Sequence, residues 1–321
     1  MKVIQAEKEF LFESQRYFQS CHASTLALLP NGAVASAWFG GTEEGANDVD
    51  IWLAKRENGV WKAPVVAASE EGVPHWNPVL FYTNRGELQL YYKVGTAINR
   101  WQTRLITSDN QGEDWSAPRE LVTGDFGGRG PVRSKPIELV DGSILAPASI
   151  ETDTVWDAFT DLSQDAGLTW TRSSLVPIDH ESFAPKGIIQ PTLWQSYDGI
   201  HMMVRSSAGA IYRSDSYDNA RTWSPAYSVG LPNNNSGIDV VQLDSGVLAL
   251  IYNPVNENWG PRTPLVVRFS TDNGLTWADE FVLESESGEF SYPAIIAKEH
   301  QLLLTYTWNR ERIVFWTLTV S

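Results

Sequence analysis

Six cations stand out in a chain that is otherwise strongly acidic. Of 321 residues, 39 are acidic and 24 basic, a formal net charge of −15. Arg205, Arg262, Arg133, Lys135, Lys93 and Arg310 fall where short β-like runs begin or end. In a ring of strands such ends converge on one mouth. A cluster of cations on an acidic protein focuses an anionic ligand, and an arginine fork grips a carboxylate through two parallel hydrogen bonds. Acid–base groups accompany them. Glu44, beside Glu43, lies in the segment Phe39–Asp48, and Asp239, Glu151 and Glu289 are carboxylates able to take a proton. Tyr292 carries a phenol whose ordinary pKa is near ~10, so it needs a base or a strong positive potential to react near neutral pH. His22 and His75 titrate in a range suited to acid–base work. Cys21 is the single cysteine and no His-x-x-x-His spacing occurs, so neither a metal nor a cofactor is expected.

Charge and hydropathy exclude several classes. A net −15 repels nucleic acid and anionic membrane surfaces alike, so neither is an expected partner. No run approaches the ~20 apolar residues of a membrane span. The N-terminus has no apolar stretch of the kind that forms a secretion signal, and a cytoplasmic location is expected. One cysteine permits no intramolecular disulfide.

The elements that position these residues follow from a repeat. The motif Ser-x-Asp-x-Gly-x-Thr-Trp is intact at Ser163–Trp170 and at Ser270–Trp277. Ala220 replaces the glycine in the copy starting at Ser216, and Asn110 replaces the aspartate in the copy starting at Ser108. The four copies are separated by 55, 53 and 54 residues, and a worn fifth keeps Trp61 in register. Turn signals recur with the same period at Asn31-Gly32, Arg85-Gly86, Asp141-Gly142, Asp198-Gly199 and Ser245-Gly246, each between alternating stretches that read as hairpin strands. A sixth hairpin surrounds Lys298-Glu299-His300. Six units of this kind predict a single domain over residues 1–321: an all-β, six-bladed β-propeller of four-stranded blades. Residues from Glu299 to Ser321 are assigned the last three strands of unit six, which leaves one edge vacant. The extended Val3–Phe12 stretch is expected to fill it as the outer strand and so close the ring. In the motif the aspartate caps backbone N–H groups, and the tryptophan is expected to plug the gap between blades.

With these repeats the chain resembles the sialidase superfamily, six-bladed propellers carrying the Asp-box motif, over essentially its whole length. The resemblance implies a carboxylate clamp of three arginines, a Tyr–Glu nucleophilic pair and a loop acid. Arg205 ends the strand after Asp198-Gly199 and matches the second arginine. Arg262 follows Asn253-Pro254 and leads into a box, matching the third. Tyr292 in Phe290-Ser291-Tyr292-Pro293 matches the nucleophile, and Glu44 stands where the acid is expected. Two positions depart from the pattern: His22 stands for the first arginine, and Gln190 for the glutamate partner of the tyrosine. Asp239, on the inner strand of unit five, is the preferred replacement base, with Glu151 second. Glu289 is last, because three residues from Tyr292 an extended strand points it to the other face.

Aromatic residues Trp76, Trp259 and Trp308 are expected in mouth-facing loops. The implied function is an exo-acting glycoside hydrolase for a terminal anionic sugar, with an anionic oligosaccharide or glycoside as substrate. The alternatives are a lyase or glycosidase for uronic-acid ends, and a carbohydrate-binding propeller without turnover.

Overall fold

The computed structural model describes residues 1–321. It consists of six antiparallel sheets arranged in sequence order, with one short 3-10 turn at Ile98–Arg100. Blade one runs from its inner strand Ser20–Leu28 through Val34–Gly41 and Asp50–Glu57, whose outer edge carries the short pieces Val60–Trp61 and Val65–Ala68. Blades two to five have inner strands His75–Tyr82, Ile137–Glu138, Ile188–Gln195 and Asp239–Gln242. Blade six is Phe290–Lys298, Gln301–Trp308 and Arg312–Val320, with Val3–Phe10 paired to Arg312–Val320 as its fourth strand. The ring therefore closes on the N-terminal strand, as expected, and the sheet edge is covered. One boundary differs. Only two strands follow Glu299, which lies in the turn, and the third strand of this blade is the inner strand Phe290–Lys298 before it. No helix is long and apolar enough to cross a membrane.

The core lies between blades. One cluster joins Ala35, Phe39 and Ile51 of blade one to Leu80, Leu90 and Ile106 of blade two. Another joins Ile251 and Val267 of blade five to Ile295 and Leu304 of blade six. Alternation along each strand sends one set of side chains to each neighbouring blade, so apolar residues occupy both faces.

The repeat motif forms the predicted turn. Asp165 Oδ1 accepts from Thr169 N at 2.8 Å and from the Ser163 hydroxyl at 2.8 Å, while Gly167 N donates to Ser163 Oγ at 2.7 Å. The same bonds recur at Asp218 and Asp272. Ala220 holds the left-handed conformation (φ 60°) that glycine adopts in the intact copies. Of the motif tryptophans only Trp223 is fully buried; Trp61, Trp115, Trp170 and Trp277 are half-buried and pack against inter-blade clusters.

Four inner strands carry a bulge near the same end. The register shifts between His22 and Thr25, Trp76 and Val79, Ile189 and Thr192, and Ser291 and Ala294. A non-glycine residue with positive φ sits in each: Ala23 (58°), Asn77 (41°), Gln190 (52°) and Tyr292 (53°). A bulge re-aims side chains at a strand end, and left-handed non-glycine residues concentrate at functional sites.

Candidate active site

These bulged ends surround a cavity of about 750 Å³ at one mouth of the propeller. Tyr292 is half-buried on its wall. Its hydroxyl accepts a hydrogen bond from Arg205 Nη1 at 3.3 Å. The guanidinium carbons of Arg133, Arg205 and Arg262 lie 5.3, 5.4 and 5.4 Å from the centre of its ring. Three guanidiniums therefore surround the phenol.

His22 completes this side. Its ring centre is 4.3 Å from that of Tyr292, and its Nδ1 is 3.0 Å from Thr307 Oγ1. Burial pushes its pKa well below the ordinary histidine value, and Arg310, Arg262, Arg133 and Arg205 push in the same direction. The imidazole is neutral, so the position supplies contact without charge.

Arg205, Arg262 and Arg310 all line the cavity, from blades four, five and six. Glu289 joins two of them. It accepts from Arg262 Nη1 at 2.7 Å, from Arg310 Nε at 3.0 Å and from the Ser291 hydroxyl at 3.1 Å. Burial alone would raise its pKa; the two guanidiniums outweigh that and hold the carboxylate ionised. Glu289 does not line the cavity. It is the strut behind the arginines, in keeping with its low rank as a base.

Glu44 lines the cavity and is bonded to Arg310 Nη1, whereas Glu43 does not reach it. The far wall holds Glu151 and Gln190. Gln190 Nε2 donates to Glu151 Oε1 at 2.9 Å, and Ser149 donates to the same oxygen at 2.9 Å. A carboxylate from the adjoining blade, Glu151, is thus hydrogen-bonded to Gln190. Gln190 Oε1 and Arg205 Nε are buried without a partner in the protein. Most buried polar atoms are paired, so these two are exceptions.

Several expected site residues lie elsewhere. Asp239 is buried and saturated: Lys135 Nζ is 2.9 Å away, Thr192 donates to it at 2.7 Å, and Ile295 N donates at 2.9 Å. It ties blades together and does not line the cavity, so its assignment as base is withdrawn, and Lys135 leaves the ligand set with it. Arg133 is buried under the tyrosine. It donates to the Ser24 carbonyl at 3.2 Å and to the Pro293 carbonyl, and it reaches the ligand only through the field at Tyr292. Burial lowers its pKa to about 10, so it is charged at neutral pH. Lys93 lines a side cavity of about 90 Å³ next to Glu151, with its ammonium on Thr103 Oγ1 and the Arg129 carbonyl. Burial lowers its pKa to about 8 against the attraction of Glu151, Asp125 and Asp161. His75 is buried with Nδ1 2.8 Å from the Val73 carbonyl and its ring stacked on Tyr92, a structural place. Trp308 packs on Phe10 and Phe290, outside the cavity.

Trp76 and Trp259 do line the cavity, and the structure adds Trp101, Trp156 and Lys186. Trp76 and Trp101 lie 5.2 Å apart, and Trp156 and Trp259 6.2 Å apart. Trp101 precedes and Trp156 opens the third strand of its blade, Gln102–Ser108 and Trp156–Ser163, each of which runs into a copy of the motif. The signal that could have found them is their shared place seven residues before a motif serine, together with the surplus of 14 tryptophans over five motif positions.

A six-bladed ring with Asp-box turns and an arginine-lined mouth is a sialidase-like propeller. The chain belongs to the BNR repeat-like domain family, whose model matches residues 32–304. No curated protein sequence matches it. Its fold is similar to that of a Hadza microbial sialidase (15% identity, TM-score 0.83, covering 97% of this chain and 68% of that one). It is similar to a protein of unknown function from Dyadobacter fermentans (15%, 0.81, 100% and 99%). It is similar also to a Trypanosoma rangeli sialidase in complex with the inhibitor DANA (12%, 0.76, 98% and 60%). At these identities the likeness is one of fold, and activity must be argued from the mouth.

Proposed function

We propose that the protein is an exo-acting glycoside hydrolase for a terminal, sialic-acid-like sugar with a carboxylate on its anomeric carbon. The observation that carries this reading is the Tyr292 hydroxyl, 3.3 Å from Arg205 and ringed by three guanidiniums at the cavity wall. A neutral phenol can approach an anomeric carbon that bears a carboxylate, whereas an aspartate or glutamate there is repelled. Sialidases are the exception to the two-carboxylate scheme for this reason.

The roles follow from the placements. Arg205 and Arg262 bind the substrate carboxylate. Glu151 takes the phenol proton, directly or through one water, because it faces the cavity without an ion-pair partner. The tyrosine oxygen then bonds to the anomeric carbon as the glycosidic bond breaks, and Glu44 gives its proton to the departing oxygen. In the second half Glu44 takes a proton from water, water attacks the anomeric carbon, and the tyrosine oxygen leaves with the proton held by Glu151. Two displacements retain configuration.

The 4.3 Å contact between neutral His22 and Tyr292 favours one second reading, an elimination at a uronic-acid end with Tyr292 as acid–base group and the arginines neutralising the carboxylate. The test is a screen of aryl sialosides and uronic-acid oligosaccharides with wild type and Tyr292→Phe. Release of the aryl group by wild type alone supports the hydrolase. An unsaturated-uronate absorbance selects the elimination. Sialoside turnover that survives Tyr292→Phe removes the nucleophile, and binding without turnover on every anionic glycan returns the propeller to a binding module.

A further inference from the structure

We propose that Arg310 is the third arm of the carboxylate clamp, and that Glu44 occupies its outer nitrogen until the ligand carboxylate displaces it. This rests on the reading of the mouth as an anionic-sugar site.

The backbone supplies the first argument. Trp308 pairs with Arg312 across a three-residue hairpin loop, within which Glu311 N donates to the Trp308 carbonyl at 3.0 Å. The central residues Asn309 and Arg310 both have positive φ, 50° and 56°. Positive φ at both central positions is the pattern of a type I′ turn, whose preferred pair is Asn-Gly. An arginine at the glycine position carries a conformational cost, and costs of this kind persist where the side chain has work to do.

Position and charge supply the second. The Arg310 carbonyl accepts from Cys21 N at 2.8 Å, which fixes the turn beside the residue preceding His22. Arg310 is also the foremost of the charges that keep His22 neutral. The cation absent at position 22 has therefore been supplied from the adjoining blade. Glu289 holds Arg262 and Arg310 side by side, using Nε of Arg310 and leaving its Nη atoms toward the cavity.

Exposure supplies the third. Burial alone would lower the Arg310 pKa; Glu44 and Glu289 outweigh it and raise the value. The two partners differ, however. Glu289 is fixed behind the arginines, whereas the Glu44 side chain is 39% exposed on a short loop. Ion pairs of that kind are weakly held. A sugar carboxylate that meets three oriented guanidiniums gains forked hydrogen bonds that Glu44, reaching one nitrogen, does not make. Its arrival would free the Glu44 carboxylate to take a proton from solvent water and so become the acid.

The test titrates the 2,3-dehydro analogue of N-acetylneuraminic acid into wild type, Glu44→Gln, Arg310→Gly and the double variant, with the methyl ester of the same analogue as uncharged control. Arg310→Gly restores the preferred turn residue, so its unfolding midpoint should equal or exceed that of wild type. Glu44→Gln is expected to tighten the acid about tenfold and leave the ester unchanged. Arg310→Gly should weaken the acid by about 30-fold or more, and Glu44→Gln should have no effect in that background. Equal affinity of wild type and Glu44→Gln, or full affinity in Arg310→Gly, overturns the inference while leaving the anionic-sugar reading standing. Failure of wild type and every variant to bind this acid or D-galacturonic acid overturns the reading and the inference together.

Discussion

The turns carrying the Asp-box motif and the inner-strand ends at the mouth solve opposite problems. Each motif turn is self-contained: Asp165 is satisfied by Ser163 and Thr169, a few residues away, and Asp218 and Asp272 repeat the arrangement. At the mouth the corresponding place differs from blade to blade: the bulged ends of four inner strands hold Ala23, Asn77, Gln190 and Tyr292. Partners there are distant in sequence, as with Arg310 and Glu44, and Gln190 Oε1 and Arg205 Nε have no protein partner. Repetition builds the ring, and departure from repetition builds the site. The comparison also explains why a −15 chain concentrates guanidiniums at one end: they are retained where Glu289 and a ligand can share them.

Breaking the two regions should give separable effects. The largest is expected for Tyr292→Phe, which should lower kcat by about 10³-fold or more without a shift in unfolding midpoint. Loss of activity together with folding would place Tyr292 in the structural class instead. Next, Arg205→Ala should lower kcat/KM on an anionic glycoside by about 10²-fold or more, measured beside a neutral aryl glycoside to separate charge recognition from general damage. Asp165→Ala acts on the other region: it should lower the unfolding midpoint by a few degrees and leave activity per folded molecule unchanged.

The smallest effect is a difference in acid sensitivity. His22 and His75 are both held below the ordinary histidine pKa, burial being the main cause in each. The unfolded chain binds those protons and the folded chain does not. Their contribution is complete above the unfolded value of ~6.5 and is lost as pH falls below it. Asp165 and Asp218 are lowered to about 2, chiefly by the bonds from Thr169 and Thr222. Their contribution is present above the ordinary aspartate value and is lost only as pH falls toward 2. A stability profile should therefore weaken in two windows, with His22→Gln flattening the upper and Asp165→Asn the lower. A single window unaffected by His22→Gln would contradict the neutral, buried histidine.

The fold was legible because the motif, the turn signals and the vacant edge all repeat or count out to the same ring. Arg205, Arg262, Tyr292 and Glu44 were legible because each occupies a fixed place relative to a turn or a box. Asp239 misled for a physical reason: a strand alternates faces with every residue, so the start of an inner strand places a side chain near the mouth without saying whether it enters the mouth or the seam between blades. Asp239 enters the seam, where Lys135 meets it. Glu289 showed the reverse: it faces away from the cavity, yet holds two arginines from behind. Trp101 and Trp156 each stand seven residues before the serine of a motif copy, so their spacing matched the repeat although the motif itself did not include them, whereas nothing in the spacing marked Lys186. His22 and Gln190 could be read in the sequence as departures from the resemblance, but their neighbours, the Arg310 turn beside His22 and Glu151 on Gln190, are found only in space.

The central claim is that Tyr292 attacks an anomeric carbon. Incubation with a 3-fluorosialosyl fluoride, followed by proteolysis and mass spectrometry, tests it directly. The account predicts a glycosyl adduct on the peptide containing Phe290–Lys298, localised to Tyr292, slow to hydrolyse and absent from Tyr292→Phe. Release of fluoride with no adduct on that peptide, or an equal adduct in Tyr292→Phe, would contradict it.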